Sequence, residues 1–304
     1  MEKTVLSESI NLTKINMPTM PFYEFNSDIN TLCIKATLGI GKTNTLYDFL
    51  KYNLNYKYQS CLIVSFRRSL CQKYADDLPN FLLYENIKEK TIESEIHNFV
   101  ICQVDSIKRI RGKYDLIIFD EFTYVMAHLV SSVEHKKRCH DIFKDIMYEE
   151  NDIIFMDALL NNDWINYINS FGRRINYVIN EYSIHKDKKI YNYNTNKTAL
   201  IDEIKKSIEK NENIVIASNN KKMLRFINNI LENNYKHLKK LFIMKENKFV
   251  HDLSVWKNIQ VLGYSPSIVA GISFTEKHFD KMFGIFCNSS ATADMGMQQL
   301  FRVR

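Results

Sequence analysis

Residues 36–43 have the types and spacing best suited to phosphate chemistry. They read Ala-Thr-Leu-Gly-Ile-Gly-Lys-Thr, which is a phosphate-binding loop except that Ala36 replaces the first Gly. The Lys42 ammonium would reach the outer phosphates of a triphosphate, and the Thr43 hydroxyl would bind Mg2+. The phosphates would be cradled by the backbone N–H groups of Gly39, Ile40, Gly41, Lys42 and Thr43. An ordinary turn with a surface lysine is the alternative interpretation.

Two adjacent acids, Asp120 and Glu121, follow the apolar run at 116–119. A phosphate-binding loop needs an acid at the end of a neighbouring strand, where it can hold the metal ion. Asp120 would bind Mg2+ directly or through water, and Glu121 would orient and deprotonate the attacking water. Alone, the pair could equally be a solvated turn. Together with Lys42 it predicts a site for ATP and Mg2+.

The last seven residues place an amide, Gln298, ahead of two arginines, Arg302 and Arg304. Arginines that close over a triphosphate stabilise the transition state of phosphoryl transfer. For this segment in isolation, a helical surface face with two arginines is the preferred interpretation.

Apolar strands alternate with helical patterns, which is typical of parallel sheets with right-handed crossovers. The strands of a first series are predicted at 31–34, 61–66, 99–104, 116–119 and 152–155, and those of a second at 214–217, 241–244, 259–262 and 282–286. The predicted organisation is an irregular lead-in at 1–27, a first domain at 28–184 and a second domain at 185–304.

The composition is globular, with 304 residues of which 45% are hydrophobic and 25% charged. A formal net charge of +6 favours a polyanionic partner. The six cysteines form no Cys-x-x-Cys pair, so we expect reduced, mostly buried thiols and an intracellular protein. Because no apolar run approaches the length of a membrane span, we expect a soluble protein without a membrane partner, in the nucleus, the cytoplasm or a viral replication compartment.

In their order along the chain, these motifs resemble those of superfamily 2 helicases, and within them the herpesvirus-type replication-origin-binding protein family. The similar segments are 36–43 for motif I, 64–69 for Ia, 103–107 for Ib, 120–123 for II, 156–158 for III, 217–219 for IV, 271–274 with 278–280 for V, and 298–304 for VI. The Arg-Arg-Ser, Met-Asp-Ala and Arg-Val-Arg elements are specific to the family. Phe301 departs from the Gly that is usual in motif VI, and the sequence stops directly after that motif.

The resemblance implies two RecA-like P-loop NTPase domains, each a mostly parallel sheet flanked by helices, the second incomplete. ATP would bind in the cleft between them, and single-stranded DNA would lie across both. Contacts to the nucleic-acid backbone, which position a strand without reading its sequence, would come from Arg67, Arg68, Ser106, Ser218, Asn219 and Ser273. Asp157 and Ala158 would couple the nucleotide state to the grip on the strand, and replication proteins are candidate partners.

The implied function is an ATP-dependent DNA helicase or translocase in which Lys42, Glu121, Gln298, Arg302 and Arg304 are catalytic. A second hypothesis is a nucleic-acid-binding module with little or no ATP turnover, because the chain stops after motif VI or because Phe301 alters the approach of Arg302. The arginine pair at 67–68 could also be solvated charges beyond a core strand. A small P-loop kinase is disfavoured, since it explains neither the second strand-helix series nor residues 298–304.

Overall fold

A computed structural model describes residues 5–21, 24–25, 28–37, 39–130, 134–149, 151–184, 186–244, 253–265, 274, 276–287, 296, 300 and 303. The chain divides into two compact units, Met1–Asp187 and Lys188–Arg304, here called unit 1 and unit 2. All six cysteines are free thiols, and five of them are buried. Within the described ranges, no helix combines the length and the apolar character needed to cross a bilayer.

The strands of unit 1 are short, and all their pairings are parallel. They are β1 (Asn11–Ile15), β2 (Thr31–Ala36), β3 (Cys61–Ser65), β4 (Leu82–Leu83), β5 (Ile92–Glu93), β6 (Phe99–Gln103), β7 (Ile110–Arg111), β8 (Leu116–Asp120), β9 (Asp152–Asp157) and β10 (Ile175–Asn180). Strands β5 and β7 pair with each other, and the other eight form one sheet in the order β1-β10-β2-β9-β8-β3-β6-β4. Every residue of β3 and β8 is buried, as expected for central strands of a parallel sheet that is covered on both faces.

Five described helices of unit 1 are α1 (Lys42–Asn53), α2 (Arg68–Asp77), α3 (Phe122–Leu129), α4 (Glu134–Tyr148) and α5 (Asn162–Asn169). Helix α1 buries Leu46, Phe49 and Leu50, the three apolar residues at helical spacing in its sequence. These side chains join a single hydrophobic cluster that includes both faces of the sheet. The core therefore holds the phosphate-loop helix directly against the strands.

The prediction of an irregular lead-in at 1–27 is wrong for Asn11–Ile15, which forms strand β1. This strand pairs in parallel with β10 along its whole length, from Asn11 beside Asn176 to Ile15 beside Asn180. Its burial pattern explains the error, because Leu12 is exposed and the segment presents no continuous apolar face. Main-chain pairing at the sheet edge, rather than side-chain burial, defines the strand.

A buried arginine ties the amino ends of several strands together. Arg173 is 4% exposed and donates to the Thr31 hydroxyl at 2.8 Å. It also donates to the main-chain oxygens of Glu149 at 2.7 Å, Asn30 at 2.9 Å and Asn151 at 2.5 Å. Burial lowers the pKa of Arg173 to about 10, which is still well above neutral pH. The guanidinium is therefore charged, and the carbonyl oxygens accept its hydrogen bonds.

Unit 2 repeats the strand-helix alternation on a smaller scale. Its described elements are α6 (Lys197–Glu209), β11 (Ile214–Ser218), α7 (Lys221–Asn234), β12 (Lys240–Ile243), the 3-10 helix Leu253–Asn258, β13 (Val261–Tyr264) and β14 (Lys281–Ile285). The strands are parallel, in the order β12-β13-β11-β14. Along β11, Ile214 and Ile216 join one hydrophobic cluster while Val215 and Ala217 join another, so both faces of the sheet are covered. Both units have the predicted α/β class.

Candidate functional site

Five predicted motifs converge on one edge of the unit 1 sheet. Strands β2, β9, β8, β3 and β6 are consecutive neighbours, and all their pairings are parallel. Because the carboxyl ends of parallel strands meet at the same edge, the motifs line up there in the order I, III, II, Ia, Ib. The nucleotide-binding candidates therefore lie towards β2 and β8, and the nucleic-acid-binding candidates of this unit towards β3 and β6.

The loop between β2 and α1 depends on two glycines with left-handed backbone conformations. Gly39 has φ 89° and Gly41 has φ 84°. A Cβ placed on Gly41 would meet no atom within 4 Å, so the dihedral angle rather than crowding favours glycine there. Gly41 precedes α1 directly, and the N–H groups of a first helical turn lack intrahelical partners. The loop thus ends at a helix terminus suited to an anion.

The Lys42 side chain folds back over the loop. Its Nζ donates to the main-chain oxygens of Ala36 at 2.5 Å and Thr37 at 3.2 Å. Its positive charge also lowers the pKa values of Asp120 and Asp157, opposing the larger effect of burial on each. Lys42 therefore places a cation among the ends of β2, β8 and β9, as the phosphate-loop interpretation requires.

The loop is braced from the segment before β2. The Met20 N–H donates to the Ile40 carbonyl at 3.1 Å, and the Thr45 hydroxyl donates to the Met20 carbonyl at 3.0 Å. The Ile40 side chain is itself buried, so only its main chain is available to a ligand. These contacts fix the loop before any phosphate arrives.

At the end of β8, Asp120 is 7% exposed and both of its carboxylate oxygens accept hydrogen bonds. The Tyr74 hydroxyl donates to Oδ2 at 2.7 Å, and the Glu121 N–H donates to Oδ1 at 3.0 Å. Burial raises the pKa of Asp120, and the Tyr74 bond and the Lys42 charge oppose that rise. Asp120 is thus a partly compensated buried acid, which a bound cation would complement.

Glu121 adopts φ 55° at the turn from β8 into α3. A left-handed conformation costs a residue with a side chain about 1–2 kcal/mol, and such strain clusters at functional sites. This observation is consistent with the predicted role of Glu121 as general base, a role that stays a prediction.

Asp157, at the end of β9, is fully buried and accepts hydrogen bonds from two main-chain donors. The N–H groups of Thr123 and Leu159 donate to it at 2.6 and 2.7 Å. Burial raises the pKa of Asp157, while these bonds lower it. Because Thr123 lies in the first turn of α3, Asp157 joins the end of β9 to the helix that follows Glu121.

Helix α3 contacts the segments of motifs Ia and Ib as well. The ring of Tyr124 stacks on Phe66, with centroids 4.9 Å apart, and the Arg67 guanidinium lies 4.8 Å from the centroid of the same Phe66 ring. One turn further on, His128 Nε2 lies 2.7 Å from Asp105 Oδ1. A single helix therefore connects the turn at Glu121 with the segments of motifs Ia and Ib, which carry the three nucleic-acid-binding candidates of unit 1.

Arg68 and Ser106 lie at the same edge with different exposure. Arg68 is largely exposed and forms a 3.5 Å ion pair with the exposed Glu85, an arrangement of small net energy. Ser106 is half-buried in the 3-10 helix Val104–Arg109. These positions leave Arg68 exposed to solvent, and its contact with a phosphate stays a prediction.

In unit 2, the motif IV candidates are engaged within the fold. The Ser218 hydroxyl donates to the Ile285 carbonyl at 2.5 Å and accepts from the Asn220 N–H at 3.0 Å. The Asn219 amide donates to the Cys287 carbonyl at 2.7 Å and accepts from the Cys287 N–H at 2.9 Å. Both residues tie the end of β11 to that of β14. The remaining candidates, Ser273, Gln298, Arg302 and Arg304, lie outside the described residues.

The donor set of the predicted metal site suits Mg2+. Thr43 and Asp120 offer one hydroxyl and one carboxylate, and Mg2+ prefers one or two such oxygens together with phosphates and water. Within the described part of the chain, no group of three or more His, Cys, Asp or Glu residues could hold a metal ion. The site thus fits an ion delivered with a nucleotide better than a protein-only metal centre.

Sequence reasoning missed Tyr74 and the pair of His128 with Asp105. Tyr74 lies three residues after Cys71 on the buried face of α2, and a buried tyrosine hydroxyl generally needs an acceptor. That signal indicates a partner without identifying it, since Asp120 is 46 residues away.

Comparison with protein families identifies one model, described as origin of replication binding protein, which matches residues 15–189 and 178–304. A helicase/primase complex protein, by its name, from African swine fever virus is 28% identical over 320 residues, covering 98% of this chain and 30% of the relative. A protein of Acanthamoeba polyphaga mimivirus, named for replication origin binding, is 27% identical, covering 92% and 37%. The replication origin-binding protein of human herpesvirus 7 is 24% identical, covering 82% and 33%.

The chain thus spans about a third of the length of these relatives. Among solved structures, S. cerevisiae Dbp5 bound to RNA and ADP BeF3 superposes with a TM-score of 0.62 at 12% identity, covering 90% of this chain and 76% of Dbp5. Mss116p bound to ssRNA and AMP-PNP superposes with a TM-score of 0.58 at 14% identity, covering 91% and 64%. These structural likenesses confirm the predicted RecA-like fold, and the family model confirms the predicted resemblance to the replication-origin-binding protein family.

Proposed function

The chain belongs to the origin of replication binding protein family, and on that premise we propose that it is an ATP-dependent DNA helicase or translocase motor. The observation that carries the proposal is the grouping of Lys42, Asp120 and Glu121 at the sheet edge where β2 and β8 end. The names of the relatives, which refer to helicases and to replication origins, support DNA as the substrate.

In the proposed reaction, water attacks the γ-phosphorus of ATP and the bond to the bridging oxygen of ADP breaks. The Glu121 carboxylate orients the water and accepts its proton, and the Lys42 ammonium exchanges its loop carbonyls for phosphate oxygens. Mg2+, when bound, neutralises phosphate charge. Thr43 and Asp120 are its proposed ligands, and Gln298, Arg302 and Arg304 keep the catalytic role predicted for them.

DNA is proposed to bind along the β3 and β6 side of the same edge. Arg67 and Arg68 provide positive charge there, and Ser106 provides a hydroxyl. Since phosphate contacts position a strand without reading its bases, this part of the chain would grip DNA of any sequence. In unit 2, Asn219 and Ser273 remain proposed contacts, whereas Ser218 is fully buried and its hydroxyl bonds to the Ile285 carbonyl, which keeps that hydroxyl from a ligand.

The test is steady-state ATP hydrolysis by the full chain, with and without single-stranded DNA, in the wild type and in Lys42→Ala. We expect DNA to stimulate the wild type and Lys42→Ala to lose at least about 100-fold of the stimulated rate, as for other preorganised charge stabilisers. Lys51→Ala is the matched control, because Lys51 is an exposed lysine in the last turn of the same helix.

Retention of DNA-stimulated hydrolysis by Lys42→Ala would overturn the proposal. DNA binding by the wild type without any ATP turnover would instead favour the second hypothesis, a nucleic-acid-binding module.

A further inference from the structure

Tyr74 is a buried side chain whose polar atom reaches the nucleotide site from a different helix. It lies on α2 and is 1% exposed, with its hydroxyl 2.7 Å from Asp120 Oδ2. A hydrogen bond to an ionised acceptor is shorter and stronger than one between neutral groups. The phenol therefore makes a directional contact with the acid predicted to hold Mg2+.

The two donors to Asp120 approach different oxygens from different elements. Tyr74 bonds Oδ2 from α2, and the Glu121 N–H bonds Oδ1 from the turn into α3. Each carboxylate oxygen can accept about two hydrogen bonds. The two donors consequently fix the rotation of the carboxylate plane while each oxygen keeps capacity for a further ligand.

We propose that Tyr74 is a positioning residue for nucleotide binding, which orients the Asp120 carboxylate towards the metal ion of a bound metal-nucleotide complex. This inference rests on the proposed function and extends it to a helix that carries no helicase motif beyond its first two residues, Arg68 and Ser69. Preorganised ligands of this kind gain affinity because the bound geometry already exists.

The neighbouring Tyr47 provides a matched comparison. Its ring packs edge-on against Tyr74, with centroids 6.0 Å apart and an interplanar angle of 84°. Its hydroxyl donates at 2.6 Å to Asp77 Oδ2 instead. Tyr47→Phe thus removes the same atom from the same aromatic pair without touching Asp120.

The experiment measures binding of a fluorescent ATP analogue to the full chain as a function of Mg2+ concentration, and in EDTA. For Tyr74→Phe we expect the Mg2+ concentration for half-maximal binding to increase about 5- to 10-fold, in line with one lost hydrogen bond. Affinity in EDTA should match the wild type for both variants. Tyr47→Phe should match the wild type under both conditions.

A double-mutant cycle with Asp120→Asn separates positioning from a general effect on folding. If Tyr74 acts through Asp120, Tyr74→Phe should change binding by less than about twofold when Asp120 is already Asn. The same loss in both backgrounds, or wild-type Mg2+ dependence of Tyr74→Phe, overturns the inference. Absence of nucleotide binding by the wild type would instead overturn the proposed function, and the inference with it.

Discussion

Unit 1 and unit 2 both place polar side chains directly after a buried central strand, but they use them differently. At the ends of β8 and β9, the buried carboxylates of Asp120 and Asp157 lie within the electrostatic reach of Lys42. After β11, the neutral side chains of Ser218 and Asn219 bond to the main chain at the end of β14. The first arrangement concentrates charge, whereas the second adds side-chain hydrogen bonds between the ends of two paired strands.

The two strand ends differ in what they contribute to folding stability. Burying a charge is expensive unless a partner compensates it, so the end of β8 contributes less to folding than a neutral end would and is suited to a charged ligand. Neutral groups that satisfy main-chain donors and acceptors stabilise the fold outright. Substitutions at the end of β8 should therefore alter chemistry first, and substitutions at the end of β11 should alter stability first.

Glu121→Gln should produce the largest effect. We expect kcat for DNA-stimulated ATP hydrolysis to decrease about 100- to 10,000-fold, the range that a positioned general base contributes. Nucleotide affinity and the melting temperature should stay close to the wild type. The measurements are steady-state kinetics and thermal unfolding, with Glu95→Gln as the exposed control. Wild-type turnover by Glu121→Gln would show that Glu121 is not the general base.

Asp157→Asn tests whether Asp157 mainly stabilises the fold, as Ser218 and Asn219 do in unit 2. An amide can accept from only one of the Thr123 and Leu159 N–H groups through its oxygen, so the other would face an NH2 group. We expect a loss of about 1–3 kcal/mol of unfolding free energy, measured by denaturant titration. Asp187→Asn is the exposed control. Unchanged stability would show that Asp157 is not a structural link to α3.

Asn219→Ala should destabilise unit 2 by about 1–2 kcal/mol, because the main chain of Cys287 loses both of its bonds to the side chain. Nucleotide affinity should not change. Thermal unfolding followed alongside nucleotide binding tests both statements, and Asn229→Ala, an exposed asparagine of α7, is the control. Weaker DNA binding without any loss of stability would place Asn219 with the ligand-binding residues instead.

Arg68→Ala should produce the smallest effect. Its exposed ion pair with Glu85 predicts a change in stability below about 1 kcal/mol. If Arg68 contacts a phosphate, DNA affinity should fall uniformly across sequences, and the slope of log K against log salt should decrease by about 1. Glu85→Ala breaks the same ion pair and should leave that slope unchanged. An unchanged slope in Arg68→Ala would make the arginine a solvated charge, the alternative that its sequence allows.

The sequence predicts the strands of unit 1 that are continuous apolar runs and misses strands that mix apolar and polar residues. Strands β3 and β8 are continuous apolar runs, so composition alone identifies them. Strand β1 exposes Leu12 and is defined by pairing with β10, a contact across more than 150 residues that local patterns do not encode. Strand β10 carries an asparagine second and another last among its six residues, and its sequence pattern did not identify it as a strand.

The same limit applies to the candidate site. The spacing of the phosphate loop and the acids after β8 indicated Lys42, Asp120 and Glu121, because those chemical types are local to their motifs. Tyr74 acts across 46 residues and carries no motif, so only the fold brings it to Asp120. The end of the strand before Ser218 was predicted correctly, but the bonds that its hydroxyl makes there were not.

Helix α3 imposes a reciprocal constraint on the two proposed ligands. It begins beside Glu121 and contacts Phe66 and Asp105 on the nucleic-acid side. If nucleotide shifts these contacts and thereby changes DNA affinity by some factor, DNA must change nucleotide affinity by the same factor. A tenfold coupling corresponds to about 1.4 kcal/mol. Each ligand is then an allosteric effector of the other, even in a variant that cannot hydrolyse ATP.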